Sequence, residues 1–149
     1  MTQNQKDKPF YLNPDFLTSS DARSIRIATE YLGPKRRFSQ NHIEDTIVFF
    51  GSARLKSPKA AKAAINNAPK NINPQKKKQL EQNLAMGRFY EDARTLAKCL
   101  TVWSKKLKKS KHRYIITSGG GPGIMEAANR GASEAKGLAI GLIISVPNE

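Results

Sequence analysis

The chain has 149 residues, of which 38% are apolar, so it can bury one hydrophobic core and is short for two full domains. Its longest apolar run, residues 138–146, is much shorter than the about 20 residues of a membrane helix, and the polar first eight residues lack a signal-peptide core. With a single cysteine, Cys99, it cannot form an internal disulfide. We therefore expect a cytoplasmic protein without a membrane segment.

The net charge of +14 is unevenly distributed along the chain. Residues 56–111 contain 15 Lys and Arg against 3 Asp and Glu, whereas residues 112–149 contain 3 of each. Such a basic segment can form a surface that binds nucleic acid or another polyanion, but a solvated helix face is the interpretation we favour. No zinc-finger spacing, RNA-binding aromatic motif or basic zipper accompanies it.

The first third of the chain predicts an arm, a helix and a strand. Residues 1–17 are expected to form an irregular arm. A helix capped by Ser20-Asp21 should run to about Leu32, with Gly33-Pro34 as its end. The β-branched and aromatic residues 46–50 then predict a buried strand, which leads directly into the turn Gly51-Ser52-Ala53-Arg54.

The middle of the chain predicts two helices. The alanine-rich residues 58–68 should form the first, and Asn73-Pro74 supplies an N-cap and first-turn pair for the second, which is expected to reach about Lys109. Apolar residues recur at helical spacing in the second helix and predict its core-facing stripe. They are Leu80, Leu84, Phe89, Ala93, Leu96, Leu100, Trp103 and Leu107.

The last third predicts strand, turn, helix and strand. Residues 114–117 form the strand, Pro122 begins a helix that ends near Ala135, and residues 138–145 form the final strand. The resulting βαβαβ order is typical of parallel strands joined by right-handed crossovers, with ligands at the carboxyl ends of the strands. The turns that begin at Gly51 and Gly119 should therefore meet at one edge of the sheet.

The second turn, Gly119-Gly120-Gly121-Pro122-Gly123, has the composition of a phosphate cradle. Glycines let backbone N–H groups approach an anion, and the helix that follows points its positive end at the same place. The segment is not a P-loop, because no Gly-Lys-Ser/Thr follows, and Ile124 replaces the last glycine of the dinucleotide fingerprint. A single phosphate group is the better fit; tight packing of helix on strand is the alternative.

Three segments together closely resemble the longer-chain bacterial branch of the LOG (Lonely guy) family, whose members have often been labelled possible lysine decarboxylases. They are Phe49-Phe50-Gly51-Ser52-Ala53-Arg54, Tyr90-Glu91-Asp92-Ala93-Arg94 and the stretch from Thr117 to Ala132. The resemblance extends over most of the chain from about residue 10. It implies a Rossmann-like α/β fold, in dimers or larger assemblies. It also implies cleavage of the N-glycosidic bond of purine nucleoside 5′-monophosphates, such as AMP, to a free base and ribose 5-phosphate.

The resemblance also implies which residues hold the nucleotide. Gly51 and Ser52 would border it, while Gly119, Gly120, Gly121 and Gly123 wrap its phosphate and ribose. Met125 and Glu126 would lie on the first helical turn beneath, where Glu126 is either a ligand contact or an acid that the helix dipole stabilises. Arg54 either reaches the phosphate or is an exposed turn residue. No metal site and no cofactor are expected.

Several features depart from the family pattern. The second glycine motif, Pro-Gly-Gly-x-Gly-Thr-x-x-Glu, is absent from residues 1–149, together with its catalytic glutamate. Residues 18–149 are thus expected to be the N-terminal part of one Rossmann-like domain, with AMP-like binding and no turnover. Uncovered strand edges predict a homo-oligomer or aggregation. A basic nucleic-acid-binding module without enzymatic activity is the alternative function.

Overall fold

A computed structural model describes residues 9–107 and 112–144. The chain forms two compact units, residues 1–42 and residues 43–149. None of the helices within the described residues combines the length and the hydropathy that crossing a membrane requires. The domain boundary predicted after residue 17 stays a prediction.

The first unit begins with a 3₁₀ turn, Phe10–Leu12, followed by helix α1 (Pro14–Thr18). The predicted irregular arm is therefore wrong from residue 10 onward, and its first eight residues lie outside the described range. The side chain of Asn13 caps α1 by accepting the N–H groups of Asp15 and Phe16 at 3.0 and 3.2 Å. An Asn-Pro pair at residues 13–14 carries this helix signal in the sequence, as it does at residues 73–74.

Helix α2 spans Arg23–Gln40 and passes through Gly33-Pro34, so the predicted end is wrong. Proline removes one N–H donor, and on this largely exposed helix water can satisfy the carbonyl that loses its partner. The predicted Ser20-Asp21 cap is wrong as well. The N-cap residue is Ala22, and no side chain caps the helix.

The second unit contains a parallel sheet in which β1 (Thr46–Val48), β2 (Ile115–Ser118) and β3 (Ala139–Gly141) lie side by side in chain order. In its register Ile116 pairs with Ile47 on one side and Ala139 on the other. The α/β fold class with a partial Rossmann-like parallel sheet is confirmed. All three strands differ from their predicted bounds; Tyr114, for example, has φ 56° and cannot join β2. The predicted end of β3 at Ser145 lies outside the described residues.

Three helices connect and cover these strands: α3 (Pro58–Asn66), α4 (Pro74–Lys106) and α5 (Ile124–Glu134). Asn73 accepts the N–H of Gln75 at 2.9 Å, which confirms the predicted cap of α4. Sequential strand order with right-handed crossovers places α4 and α5 on the same face of the sheet. There the core forms around Ile116, which packs with Ala97 of α4 and with Ala128 and Ala132 of α5.

The predicted core stripe on α4 is only partly confirmed, since Leu100 packs against the core but the fully buried residues lie about one position away from the stripe. Leu96 is 53% exposed and Trp103 45%, whereas the buried residues of α4 are Gly87, Tyr90, Ala97 and Thr101. The reason is the close approach of α5. A Cβ on Gly131 would overlap the backbone oxygen of Arg94, so small residues rather than large apolar ones make this contact.

Candidate phosphate-binding site

The loop between β2 and α5, residues 119–123, has backbone N–H groups without acceptors. Within the described residues, the N–H groups of Gly119, Gly121 and Gly123 donate to no protein acceptor, whereas that of Gly120 donates to Ser118 Oγ at 3.1 Å. Gly120 and Gly123 both have φ 73°, a conformation that glycine adopts without strain. The loop therefore presents several unused donors at the start of α5.

Helix α5 begins at Ile124 and not at Pro122, so the predicted place of the proline in the first turn is wrong. Gly123 is the N-cap residue, and no side chain caps the helix. The positive φ of Gly123 turns the chain just before the helix, which puts Pro122 in the loop. In the first turn of α5 the N–H of Ile124 donates to the backbone oxygen of Ser52, while those of Met125 and Glu126 have no acceptor within the described residues. The helix N-terminus also carries a partial positive charge.

Ser118, which is buried, and Asn129, which is partly buried, hold the loop in place. Ser118 is 2% exposed, and its Oγ accepts the N–H of Gly120 and donates to Asn129 Oδ1 at 3.2 Å. One hydroxyl thus connects the end of β2, the loop and the second turn of α5. The sequence interpretation did not assign this role to Ser118 and Asn129. A serine directly before a glycine turn is a signal that could have indicated it.

The turn after β1 lies directly against this loop, as the predicted meeting of the two turns requires. Ile124 N–H donates to the backbone oxygen of Ser52 at 3.2 Å. A Cβ on Gly123 would overlap that oxygen, and a Cβ on Gly51 would come within 2.9 Å of three side-chain atoms of Ile124. Both glycines therefore permit close packing of the two turns, whatever else they contact.

The other two residues predicted in this first turn differ in their surroundings. Ser52 Oγ accepts the N–H of Arg54 at 3.2 Å, which closes the turn on itself. The Arg54 side chain is exposed and makes no hydrogen bond or ion pair within the described residues. Its guanidinium is free to meet an anion from solvent.

The two residues predicted on the first turn of α5 are placed there. The thioether of Met125 lies along the loop, since a Cβ on Gly119 would be 2.9 Å from its Sδ and one on Gly121 2.9 Å from its Cε. The Glu126 side chain is about half exposed, and its carboxylate lies 3.4 Å from an Arg130 nitrogen. Met125 therefore bounds the loop on one side, while Glu126 is already engaged by a cation.

Arg130 connects Glu126 of α5 with Tyr90 of α4. Its guanidinium also donates to the hydroxyl of Tyr90 at 3.2 Å. Burial raises the pKa of Tyr90, which is 1% exposed, and the hydrogen bond to Tyr90 raises the pKa of Arg130. This Tyr90–Arg130–Glu126 chain was not predicted from the sequence. It fixes the carboxylate of Glu126 against the surface of α5.

The two turns combine several features that favour the binding of an anion. Unused N–H donors, a helix N-terminus and an exposed arginine occur on one pair of turns at the carboxyl ends of β1 and β2. In the part of the chain that the structure describes, no group of three or more His, Cys, Asp or Glu residues is placed to hold a metal ion.

Comparison with known families adds one match. The profile of the SLOG cluster4 family matches residues 92–148, which include the glycine loop, α5 and β3. The SLOG superfamily is Rossmann-like and nucleotide-binding, and the LOG family belongs to it. The resemblance is thus supported at the level of the superfamily, for this part of the chain. No curated protein matches the sequence.

Proposed function

We propose that the chain binds a purine nucleoside 5′-monophosphate such as AMP, with the phosphate on residues 119–123. The proposal is supported by the unused N–H groups of Gly119, Gly121 and Gly123 at the N-terminus of an eleven-residue helix. A phosphate oxygen accepts several such donors at once, and its negative charge is stabilised by the helix dipole.

The ribose and the base would extend from this loop toward the turn after β1. Within that turn Gly51 and Ser52 lie against Gly123 and Ile124, and Arg54 is an exposed cation two residues further along. Because Ile124 fills the position of the third fingerprint glycine and packs against Gly51, there is less room for a pyrophosphate than in a dinucleotide site. A monophosphate therefore suits the loop better than NAD.

We further propose that this chain on its own does not cleave the glycosidic bond. An oxocarbenium-like transition state needs a carboxylate near the anomeric carbon and usually an acid for the leaving group. Glu126 is the one carboxylate in residues 119–129, and it is paired with Arg130. We expect no release of adenine from AMP in a chromatographic assay; turnover that Glu126→Gln abolishes would contradict this statement.

Calorimetry with AMP and with adenosine tests the binding proposal, because the two ligands differ only in the phosphate. We expect heat of binding from AMP and an affinity for adenosine at least about tenfold weaker, which corresponds to 1.4 kcal/mol. Gly121→Ala should also weaken AMP binding about tenfold. Its added methyl meets only the flexible end of Met125, which can move while it crowds the loop.

Gly33→Ala is the matched control, since a Cβ at Gly33 meets no atom within 4 Å. It should leave AMP affinity unchanged. Equal binding of AMP and adenosine, or the same loss of affinity in both glycine variants, would reject a phosphate site on this loop.

One observation favours nucleic-acid binding as a second candidate function. Residues 46–80 contain eight Lys and Arg and no Asp or Glu, and the lysines of α3 and of the first turn of α4 are exposed without ion-pair partners within the described residues. If these lysines neutralise duplex phosphates, log K should fall with log salt by about 0.9 per phosphate. Filter binding that is absent or independent of salt would remove this candidate.

A further inference from the structure

Glu126 occupies a position from which its side chain could cap its own helix. Gly123 is the N-cap residue of α5, so Glu126 is the third residue of the helix. In a capping box, a glutamate at this position reaches back and accepts the backbone N–H of the N-cap residue. The N–H of Gly123 has no acceptor within the described residues. The nearest acid in sequence therefore leaves this donor unused.

The Glu126 carboxylate lies against a cation on the next turn instead. Its Oε1 is 3.4 Å from a guanidinium nitrogen of Arg130, four residues further along α5. Both side chains are about half exposed. An exposed pair at this spacing is weak by itself, because water competes for both groups. How well the pair holds Glu126 thus depends on how firmly the guanidinium is kept in place.

Tyr90 of α4 restrains the guanidinium. Tyr90 is 1% exposed, and its hydroxyl accepts a hydrogen bond from Arg130 at 3.2 Å. A buried ring has little freedom to move, so this contact anchors Arg130 to the neighbouring helix. The nearby Arg94 is already engaged by two other carboxylates, those of Glu91 and Glu134. Arg130 is therefore the cation of this cluster that serves the first turn of α5.

A carboxylate released from Arg130 would oppose an anion at the glycine loop in two ways. It would compete with a phosphate oxygen for the N–H of Gly123, and its negative charge would repel the phosphate. The helix dipole would favour this self-capped arrangement, because an acid in the first turn is stabilised there. The pairing with Arg130 both removes the competing acceptor and compensates its charge.

We propose that Arg130 is a positioning residue, which holds the Glu126 carboxylate away from the glycine loop and so keeps the N–H of Gly123 open to an anion. Arg130 acts through Glu126 and does not itself contact the nucleotide. The expected effect on AMP rests on the proposed function. The place of the Glu126 carboxylate in the free protein is a property of the chain itself, and it can be tested separately.

A double-mutant cycle with AMP tests the effect on binding. Arg130→Met removes the charge and has a similar helix propensity, and in calorimetry it should weaken AMP binding at least about threefold. In the Glu126→Ala background, where no carboxylate remains to compete, the same substitution should change the affinity by less than about 1.5-fold. An equal loss in both backgrounds would overturn the proposal, because the arginine would then act on the nucleotide directly.

Lys98→Met is the matched control for the loss of one positive charge. Lys98 is an exposed cation 4.0 Å from Glu134, at the other end of α5. Its replacement should leave AMP affinity unchanged. A loss as large as that of Arg130→Met would mean that net charge alone governs binding, and would also overturn the proposal.

NMR of the nucleotide-free protein tests the position of Glu126 without any ligand. In Arg130→Met the backbone N–H of Gly123 should shift downfield and exchange more slowly with water, since it gains the carboxylate as acceptor. Adding Glu126→Ala should reverse both changes. A Gly123 amide that is the same in the wild type and in Arg130→Met would overturn the proposal, even if AMP binds. The expected amide changes in a chain that binds no AMP would support the role of Arg130 and reject the proposed function.

Discussion

The two turns at the carboxyl ends of β1 and β2 both begin with glycine, yet their backbone groups are used differently. In the first, Ser52 Oγ accepts the N–H of Arg54 and the Ser52 carbonyl accepts that of Ile124. In the second, three glycine N–H groups have no acceptor within the described residues. The difference lies in which donors remain unused after the turns have packed together.

Gly123→Ala should have the largest effect on this pair of turns, because the packing and the loop both depend on this residue. The substitution adds a Cβ that overlaps the Ser52 carbonyl, at a φ of 73° that alanine adopts only with strain. We expect a loss of at least about 3 kcal/mol in the free energy of unfolding, measured by urea denaturation. Gly33→Ala is the control. Stability like that of the wild type would mean that the two turns do not pack as described.

Gly51→Ala tests the packing role of the first turn with a smaller perturbation. Its Cβ would come within 2.9 Å of Ile124 side-chain atoms while the backbone conformation stays ordinary. Overpacking of this kind costs about 1–3 kcal/mol, which denaturation should detect. A variant of unchanged stability that no longer binds AMP would instead indicate that Gly51 contacts the nucleotide.

Ser118→Ala should loosen the second turn and leave the first intact. The variant loses the acceptor of the Gly120 N–H and the donor to Asn129, two partly buried hydrogen bonds, and should lose about 1–3 kcal/mol of stability. Ser52→Ala is its counterpart in the exposed first turn, and we expect a smaller loss there. Equal losses from the two variants would remove the distinction between the turns.

Arg54→Ala should have the smallest effect, and on binding only. Its side chain has no partner within the described residues, so stability should stay within about 0.5 kcal/mol of the wild type. AMP affinity should fall several-fold, by about 1 kcal/mol, if the guanidinium meets the phosphate. Lys59→Ala, which removes an exposed charge from α3, should change neither quantity. Unchanged AMP affinity in Arg54→Ala would make this arginine an ordinary surface residue.

The sequence predicted the fold best where local patterns and tertiary packing agree. The order of strands and helices, the Asn73 cap and the meeting of the two turns follow from apolar runs, an Asn-Pro pair and parallel-sheet geometry. The continuation of α2 through Pro34 could not be predicted from the sequence. A proline ends a helix only when the carbonyl that loses its N–H partner finds no other donor, such as water.

The buried face of α4 and the hydrogen bonds that hold the glycine loop and Glu126 were harder to predict, for a different reason. Large apolar residues mark the predicted stripe of α4, but α5 packs on the side where Gly131 and three alanines permit the closest approach. Periodicity shows that a helix has an apolar stripe, and it does not show which neighbour covers it. The Ser118–Asn129 contact and the chain from Tyr90 to Glu126 join residues distant in sequence, so only the folded structure brings them together.

Gly131 has no side chain, which lets α5 pack closely against α4, and this close packing also affects residues distant from Gly131. Gly131 lies eight residues after Gly123, about 12 Å along the helix axis at 1.5 Å per residue. Any larger residue there would push α5 outward from Arg94, and the rigid helix would carry its first turn with it. A substitution at Gly131, two turns from the glycine loop, would then tilt that loop away from the turn after β1. The distance between the two turns therefore depends on a residue near the C-terminal end of α5.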